Sequence, residues 1–175
     1  MATQGKIRTN AIGVYVSNTS IPDTGTAASG GTYGDDAFEN DTFELIACAT
    51  SGTFGGSREV IDATTKDNDG RREILAGGSS WTVSTEGLIE YGLSTDVKSS
   101  TDLFDLWNNN TKVRVAWTTG KDGDTMYYGN AFITSYEESA GLNEVASYSV
   151  TFEGDGSITK AVIATGSVTF NTNDD

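Results

Sequence analysis

The chain has 175 residues and a formal net charge of −14, from 11 Lys and Arg against 25 Asp and Glu, with no His. That balance argues against gripping a phosphate backbone from outside, which draws on Lys and Arg. The missing His removes the usual general base, the usual zinc ligand and any Ser-His-Asp or Cys-His arrangement. With 36% hydrophobic residues, 21 Gly and one Pro, the composition suits one domain with a real core and many strands and turns.

In chain order, "MATQGKIRTN" has no apolar h-region, so no signal peptide is expected, and no run approaches the length of a membrane span. Residues 17–41 are rich in Gly, Ser, Thr and Asp without periodicity, and are expected to form a flexible arm or loop. "FELIACAT" and "REVIDA" read as strands, and the single Cys48 reads as a small buried hydrophobe. "SSWTVSTEG" alternates Trp81 and Val83 against Thr82, Ser84 and Glu86. In "SSTDLFDLWNNN", Ser100 or Thr101 is the expected N-cap, with Asp102 in the first turn. Leu103, Leu106 and Trp107 form one apolar stripe, and the Asn run ends a helix of about residues 100–109.

Further strands follow. "TKVRVAWT" sets Val113, Val115 and Trp117 against Lys112 and Arg114, and "MYYGNAFITSYEES" sets Phe132 and Tyr136 against Ala131 and Ile133. "ASYSVTFEG" sets Ala146, Tyr148, Val150 and Phe152 against Ser147, Ser149, Thr151 and Glu153, and "ITKAVIATGSVTF" is a last candidate. "KDGD" and "EGDG" supply Gly for turns with positive φ. The expected core therefore includes Trp81, Leu103, Trp107, Trp117, Tyr148 and Phe152.

"IDATTKDNDGRREIL" invites a calcium-loop reading. With Gly70 at the sixth position, the first is Thr65 and the twelfth Ala76, so the charged first ligand and the terminal Glu are both missing. "GTFGGSR" lacks the ending of a phosphate loop, "GDGSIT" lacks the last Gly of a dinucleotide fingerprint, and adjacent Glu137 and Glu138 in a strand point to opposite faces. These patterns argue against an enzyme, and no metal or cofactor is expected.

The order of "DATTKDNDGRRE", "SSWTVSTEGL", "DLFDLWNN", "KVRVAWT" and "ASYSVTFEGDG", over about residues 43 to 160, resembles the major tail protein family of long-tailed bacteriophages, the tail tube subunits. Arg71 stands where an aromatic residue often follows the Gly in that family. The resemblance implies a mainly β fold: a β-sandwich or half-open barrel of two packed sheets with one short flanking helix, a single domain with an extension after about residue 160. It implies a virion protein that assembles with itself into hexameric rings stacked as a conduit for viral DNA, with tape-measure, tail-tip and tail-terminator proteins as partners. On that reading Thr65, Lys66, Asp67, Asn68, Asp69, Arg71 and Arg72 are candidate contacts between subunits or rings. Thr82, Ser84, Glu86, Ser149, Thr151 and Glu153 are candidates for a lumen or outer face. The alternatives are the inner tube of a contractile apparatus and, from another class, a glycan-binding β-sandwich. If rings form, residues 17–41 and 62–79 should gain hydrogen-exchange protection on assembly. Equal exchange in monomer and tube over both segments would count against this.

Overall fold

A computed structural model of the chain describes residues 12–17, 42–64, 71–91, 93, 96–163 and 169–171. These form β1 (Gly13–Ser17), β2 (Thr42–Ile46), β3 (Ala49–Asp62), β4 (Ile74–Leu88), β5 (Val97–Lys98), α1 (Ser100–Asn108), β6 (Val113–Thr118), β7 (Thr125–Ser139), β8 (Ser147–Val162) and β9 (Thr169–Asn171). The described strands lie on one hydrogen-bonded path, β3-β4-β8-β7-β6-β1-β2, mostly antiparallel. The far edge of β2 is shared: β9 runs parallel to Thr42–Glu44, and β5 runs parallel to Leu45–Ile46. The sheet curls until β3 returns over β6 and β7. Phe54 of β3 stacks on Tyr127 at 5.6 Å and tilts against Trp117 at 6.4 Å. The protein is thus mainly β with one short helix, and its two layers are halves of one continuous, half-closed sheet.

Alternation along each strand places the core. Val14 and Val16 of β1, Trp81 and Val83 of β4, Val113 and Val115 of β6, Ala131 and Ile133 of β7, and Tyr148, Val150 and Phe152 of β8 meet inside the curl, capped by Leu103 of α1. Where β1, β2, β6 and β7 adjoin, the opposite face is covered too: Tyr15, Phe43, Ala116, Met126, Tyr128 and Ile163 form a second cluster, with Phe170 of β9 packed on it. Phe170 lies 5.7 Å from Phe43 and 5.0 Å from Tyr15, so residues after 160 help close this cluster. β1 is a strand that the sequence reading passed over, because a strand buried on both faces shows no polar alternation.

Several local expectations are corrected. The N-cap is Ser99, one residue earlier than expected. Its side chain accepts from the Asp102 backbone N–H while the Asp102 carboxylate accepts from the Ser99 backbone N–H, a reciprocal capping box. Trp107 is not core: it is 41% exposed, and with Phe104 it leans on Tyr136 at the surface. The apolar stripe divides, with Leu103 and Leu106 turned inward and Trp107 at the helix end beyond them. Trp117 is partly buried, at the seam where β3 crosses β6; a Cβ on Gly52 would come within 3.1 Å of its ring. That close approach explains why the Gly-rich "SGTFGGS" is strand here. Cys48 is half-buried in the tight turn from β2 to β3, at φ 54, and its thiol donates to Glu90 Oε2 at 3.1 Å. Burial, then the Glu90 carboxylate, push this thiol's pKa up.

Two irregularities shape the pairing of β7 with β8. Between Ile133 and Ser135, β7 advances two residues while β8 advances one, a bulge at Thr134. The bulge re-aims the chain, so Tyr136 joins the core face of Ala131 and Ile133 rather than opposing it. "EGDG" is no turn between strands. It lies inside β8, where Gly156 (φ +85) bends the strand between the pairs Asn130↔Asp155 and Tyr128↔Thr159. Trp81 fills the space at this bend. Its indole N–H donates to Gly156 O at 3.1 Å, and the ring lies against Gly129 and Gly154, at either of which a Cβ would overlap it. Trp81→Ala should therefore cost about 3–5 kcal/mol, while Trp107→Ala should cost about 1 kcal/mol or less. Urea midpoints at unchanged m-value measure both; equal losses would contradict the different burial of the two rings.

Candidate assembly surfaces

The curl leaves one face of β3, β4 and β8 to solvent, and antiparallel register lines up its side chains. Ser51, Thr53, Gly55 and Ser57 of β3 face Glu86, Ser84, Thr82 and Ser80 of β4. Glu86, Ser84 and Thr82 in turn face Ser149, Thr151 and Glu153 of β8. The six residues expected on a lumen or outer face thus form three direct cross-strand pairs. Ser51 Oγ donates to Glu86 Oε2 at 3.3 Å, and the Ser57 and Ser80 hydroxyls lie 2.8 Å apart. Every ladder position is Ser, Thr, Gly or Glu, so the surface offers weak hydrogen-bonding groups and negative charge. The opposite side chains of the same strands are core, including Trp81, Tyr148 and Phe152.

Tyr148 anchors this wall. Its hydroxyl donates to Ala47 O at 2.7 Å across 101 residues of chain, and burial raises its pKa so that it stays a donor. A Cβ on its cross-strand neighbour Gly87 would come within 2.6 Å of that hydroxyl.

The second surface is an arm. β4 pairs with β8 only from Thr82 to Leu88; beyond Trp81 it continues with β3 alone to the pair Asp62↔Ile74. A two-stranded ribbon has no sheet beneath it, and its side chains from Arg58 to Asp62 are all exposed. Ile61 and Leu75 face each other on one side of the ribbon, and Val60 and Ile74 project from the other. The far end is tied by Asp62, whose Oδ1 accepts from Thr64 N at 3.0 Å and Thr64 Oγ1 at 2.6 Å, with Arg72 Nε 3.4 Å from Oδ2. Ala63 N donates to Glu73 O at 3.0 Å. Of the residues expected at an assembly contact, Arg71 and Arg72 are exposed beside this tie. Thr65, Lys66, Asp67, Asn68 and Asp69 lie outside the described residues, as does the expected loop beyond Ser17.

The third surface is the outer side of α1, where Phe104 and Trp107 pack around Tyr136. The Tyr136 hydroxyl lies 3.1 Å from Ser100 O and 2.5 Å from Glu138 Oε1, and desolvation together with Glu138 raises its pKa. Sequence reasoning missed this cluster because it treated Trp107 as core and Tyr136 as facing the other way. It also missed the buried pair of Lys98 Nζ and Glu44 Oε2, 2.8 Å apart between β5 and β2. No sequence spacing links those two residues, since the strands carrying them are far apart in the chain.

Among the described residues no three His, Cys, Asp or Glu side chains come together as a metal site, and no helix is long and apolar enough to cross a membrane. A curled sheet with a bare polar wall, an unsupported apolar arm and an aromatic helix face defines a structural β-protein built to contact other protein surfaces. The chain belongs to the phage tail tube protein family, whose family model matches residues 32–160. It is accordingly a structural tail protein that assembles into a tube, and not an enzyme. No protein of curated function matches it in sequence.

Solved structures show the same fold. A chain from the tail of an empty gene transfer agent particle, refined with C6 symmetry, is 20% identical with a TM-score of 0.63, over 90% of this chain and 100% of that one. A chain of the SPP1 tail tube is 14% identical with a TM-score of 0.63, over 92% of this chain and 82% of that one. The tube-terminating cap of an anti-feeding prophage is 17% identical with a TM-score of 0.54, over 93% of this chain and 95% of that one.

The tie at the arm's end titrates. Thr64's two hydrogen bonds, with help from Arg72, hold the Asp62 pKa below the usual carboxylate value. The turn is therefore supported fully above about pH 4 and loses that support as pH falls through the folded-state pKa. An NMR titration of the Thr64 amide should show a midpoint below about 3.9 that Asp62→Asn abolishes. A midpoint at or above that value would mean Asp62 does not hold the turn.

Proposed function

We propose that copies of this chain close into hexameric rings that stack into the tail tube, with the β3-β4-β8 ladder turned to the lumen as the wall past which viral DNA moves. The observation that carries this reading is the ladder itself: register pairs Ser, Thr and Glu across three strands and places no Lys or Arg at those positions. Such a wall repels phosphates and offers them no charged hydrogen bond, so DNA slides without sticking. Both sides of the wall have unused edges. Beyond β3 no described strand pairs, and β6 pairs with β7 only as far as Ala131, leaving Phe132–Ser139 without a strand on that side. Side by side, β3 of one copy and β7 of the next run antiparallel, and their pairing would remove two exposed edges at once. Along the tube, the arm carrying Arg71 and Arg72, and with it Thr65 to Asp69, is the contact between rings. Tape-measure, tail-tip and tail-terminator proteins are the expected partners at the tube's interior and ends.

Negative-stain images over a range of concentrations should show sixfold rings and tubes. A protein that stays monomeric throughout, with and without tail-tip partners, would refute the assembly. The lumen assignment has its own test: Ser84→Cys, in a Cys48→Ser background, should react in tubes with a small maleimide but not with one carrying a polymer of several kilodaltons. Equal labelling by both reagents places the ladder outside; labelling by neither places it in an interface.

A further inference from the structure

The β3–β4 arm is a ribbon tied at both ends. At its root the Ser57 and Ser80 hydroxyls lie 2.8 Å apart, next to Trp81, whose indole N–H donates to Gly156 O. At its far end Asp62 accepts from Thr64 N and Oγ1, and Ala63 N donates to Glu73 O. Between the two ties the pairing slips. Register passes from Arg58↔Ser79 directly to Val60↔Ala76, so Glu59 of β3 stands opposite two residues of β4, Gly77 and Gly78. One extra residue in one strand is a β-bulge, at which the ladder is interrupted and the ribbon bends.

The two glycines have different surroundings. A Cβ on Gly77 would come within 3.0 Å of Glu59 Cβ and 3.2 Å of Glu59 O, so the strands approach that closely only because Gly77 has no side chain. A Cβ on Gly78 would meet nothing within 4 Å, and its φ is not positive. Neither crowding nor a left-handed backbone requires glycine there, and what Gly78 supplies is conformational freedom. β4 leaves β8 at Thr82, and Arg58, Glu59, Val60, Ala76 and Ser79 around the bulge are all exposed. A segment with so few buried contacts deforms at low cost.

We propose that Glu59, Gly77 and Gly78 form a hinge on which the outer arm, from Val60 and Ala76 to the Asp62 tie, swings as one unit. A hinge absorbs its change in a few backbone angles while the parts on either side stay rigid. Here the two ties keep the ribbon paired on both sides of the bulge. The swing carries Val60, Ile61, Ile74 and Leu75 together, so these exposed apolar side chains can be presented at more than one angle without unpairing the ribbon or moving Trp81. The hinge belongs to the single chain and does not rest on the tube reading.

Pulsed electron–electron distance measurements on the unassembled protein test it. In a Cys48→Ser background, nitroxides on Ile74→Cys and Glu153→Cys report the arm against the body, and nitroxides on Thr125→Cys and Glu153→Cys report the body alone. The arm–body distribution should be about twice as broad as the body pair's, and Gly78→Val should narrow it to the body pair's width. If Gly78→Val shifts the urea midpoint, deletion of Gly78, which leaves Glu59 opposite Gly77 alone, takes its place. A wild-type arm–body distribution no broader than the body pair's, or an unchanged width in the folded variant, would overturn the hinge. Either result leaves the tube reading standing, and a failure to form rings leaves the hinge standing.

Discussion

One steric requirement organises the molecule: the Trp81 indole occupies the hollow left by Gly129 and Gly154 and hydrogen-bonds Gly156 O where β8 bends. The fit is mutual. Side chains at either glycine would expel the ring, and without the ring the bend in β8 would enclose a void that a close-packed interior does not tolerate. The bend lets one strand serve two surroundings, pairing with both β4 and β7 over its first half and with β7 alone over its second. Trp81 is also the last buried residue of β4 before the arm. The point where the core ends is the point where the arm begins.

The other end of the sheet is held by a different device. β5 offers β2 only two residue pairs, Leu45↔Val97 and Ile46↔Lys98, too few to fix a parallel register by backbone bonds alone. The Lys98–Glu44 pair, with both side chains about nine-tenths buried, adds a directional constraint. Desolvating both charges offsets much of their attraction, so the pair contributes less to stability than to discriminating between registers: a slip would strand one buried charge, at a cost of about 3–5 kcal/mol. The capping box at Ser99 follows at once, so β5, the cap and α1 are placed as one unit.

Much of this was readable where one physical rule governs a residue. Period-two alternation placed Trp81, Val83, Tyr148, Val150 and Phe152 inward and the Ser, Thr and Glu ladder outward, because those strands have one wet face. It failed where a second rule intervened. The bulge at Thr134 reversed the expected side of Tyr136, and a single inserted residue leaves little trace in composition. Gly156 looked like a turn residue but sits within a strand and carries a bend, and Gly52, in a stretch given no element, lies in a strand where it admits the Trp117 ring. Trp107 fits the helical stripe by spacing, yet spacing does not tell how far the sheet beneath a helix extends. Which surfaces meet between copies is not written in any one chain's alternation; it emerges only when register shows which exposed residues share a face.

The monomer is therefore folded but unfinished. Its interior obeys ordinary rules of burial, while its arm, its aromatic helix face and its open strand edges break rules that solitary β-proteins keep. Charge sets the terms on which these defects can be resolved. Copies of net charge −14 repel one another at long range, which opposes indiscriminate aggregation through the same apolar residues. That repulsion is screened within about 8 Å at physiological ionic strength, whereas apolar burial acts at contact and contributes about 25 cal/mol per Å². Only a fit that brings large apolar area together without setting acid against acid can win. The β3–β4 arm comes nearest to that condition: residues 58–76 carry four cations against five acids, while the rest of the chain carries seven against twenty, so selectivity and solubility both follow from where the few cations are placed.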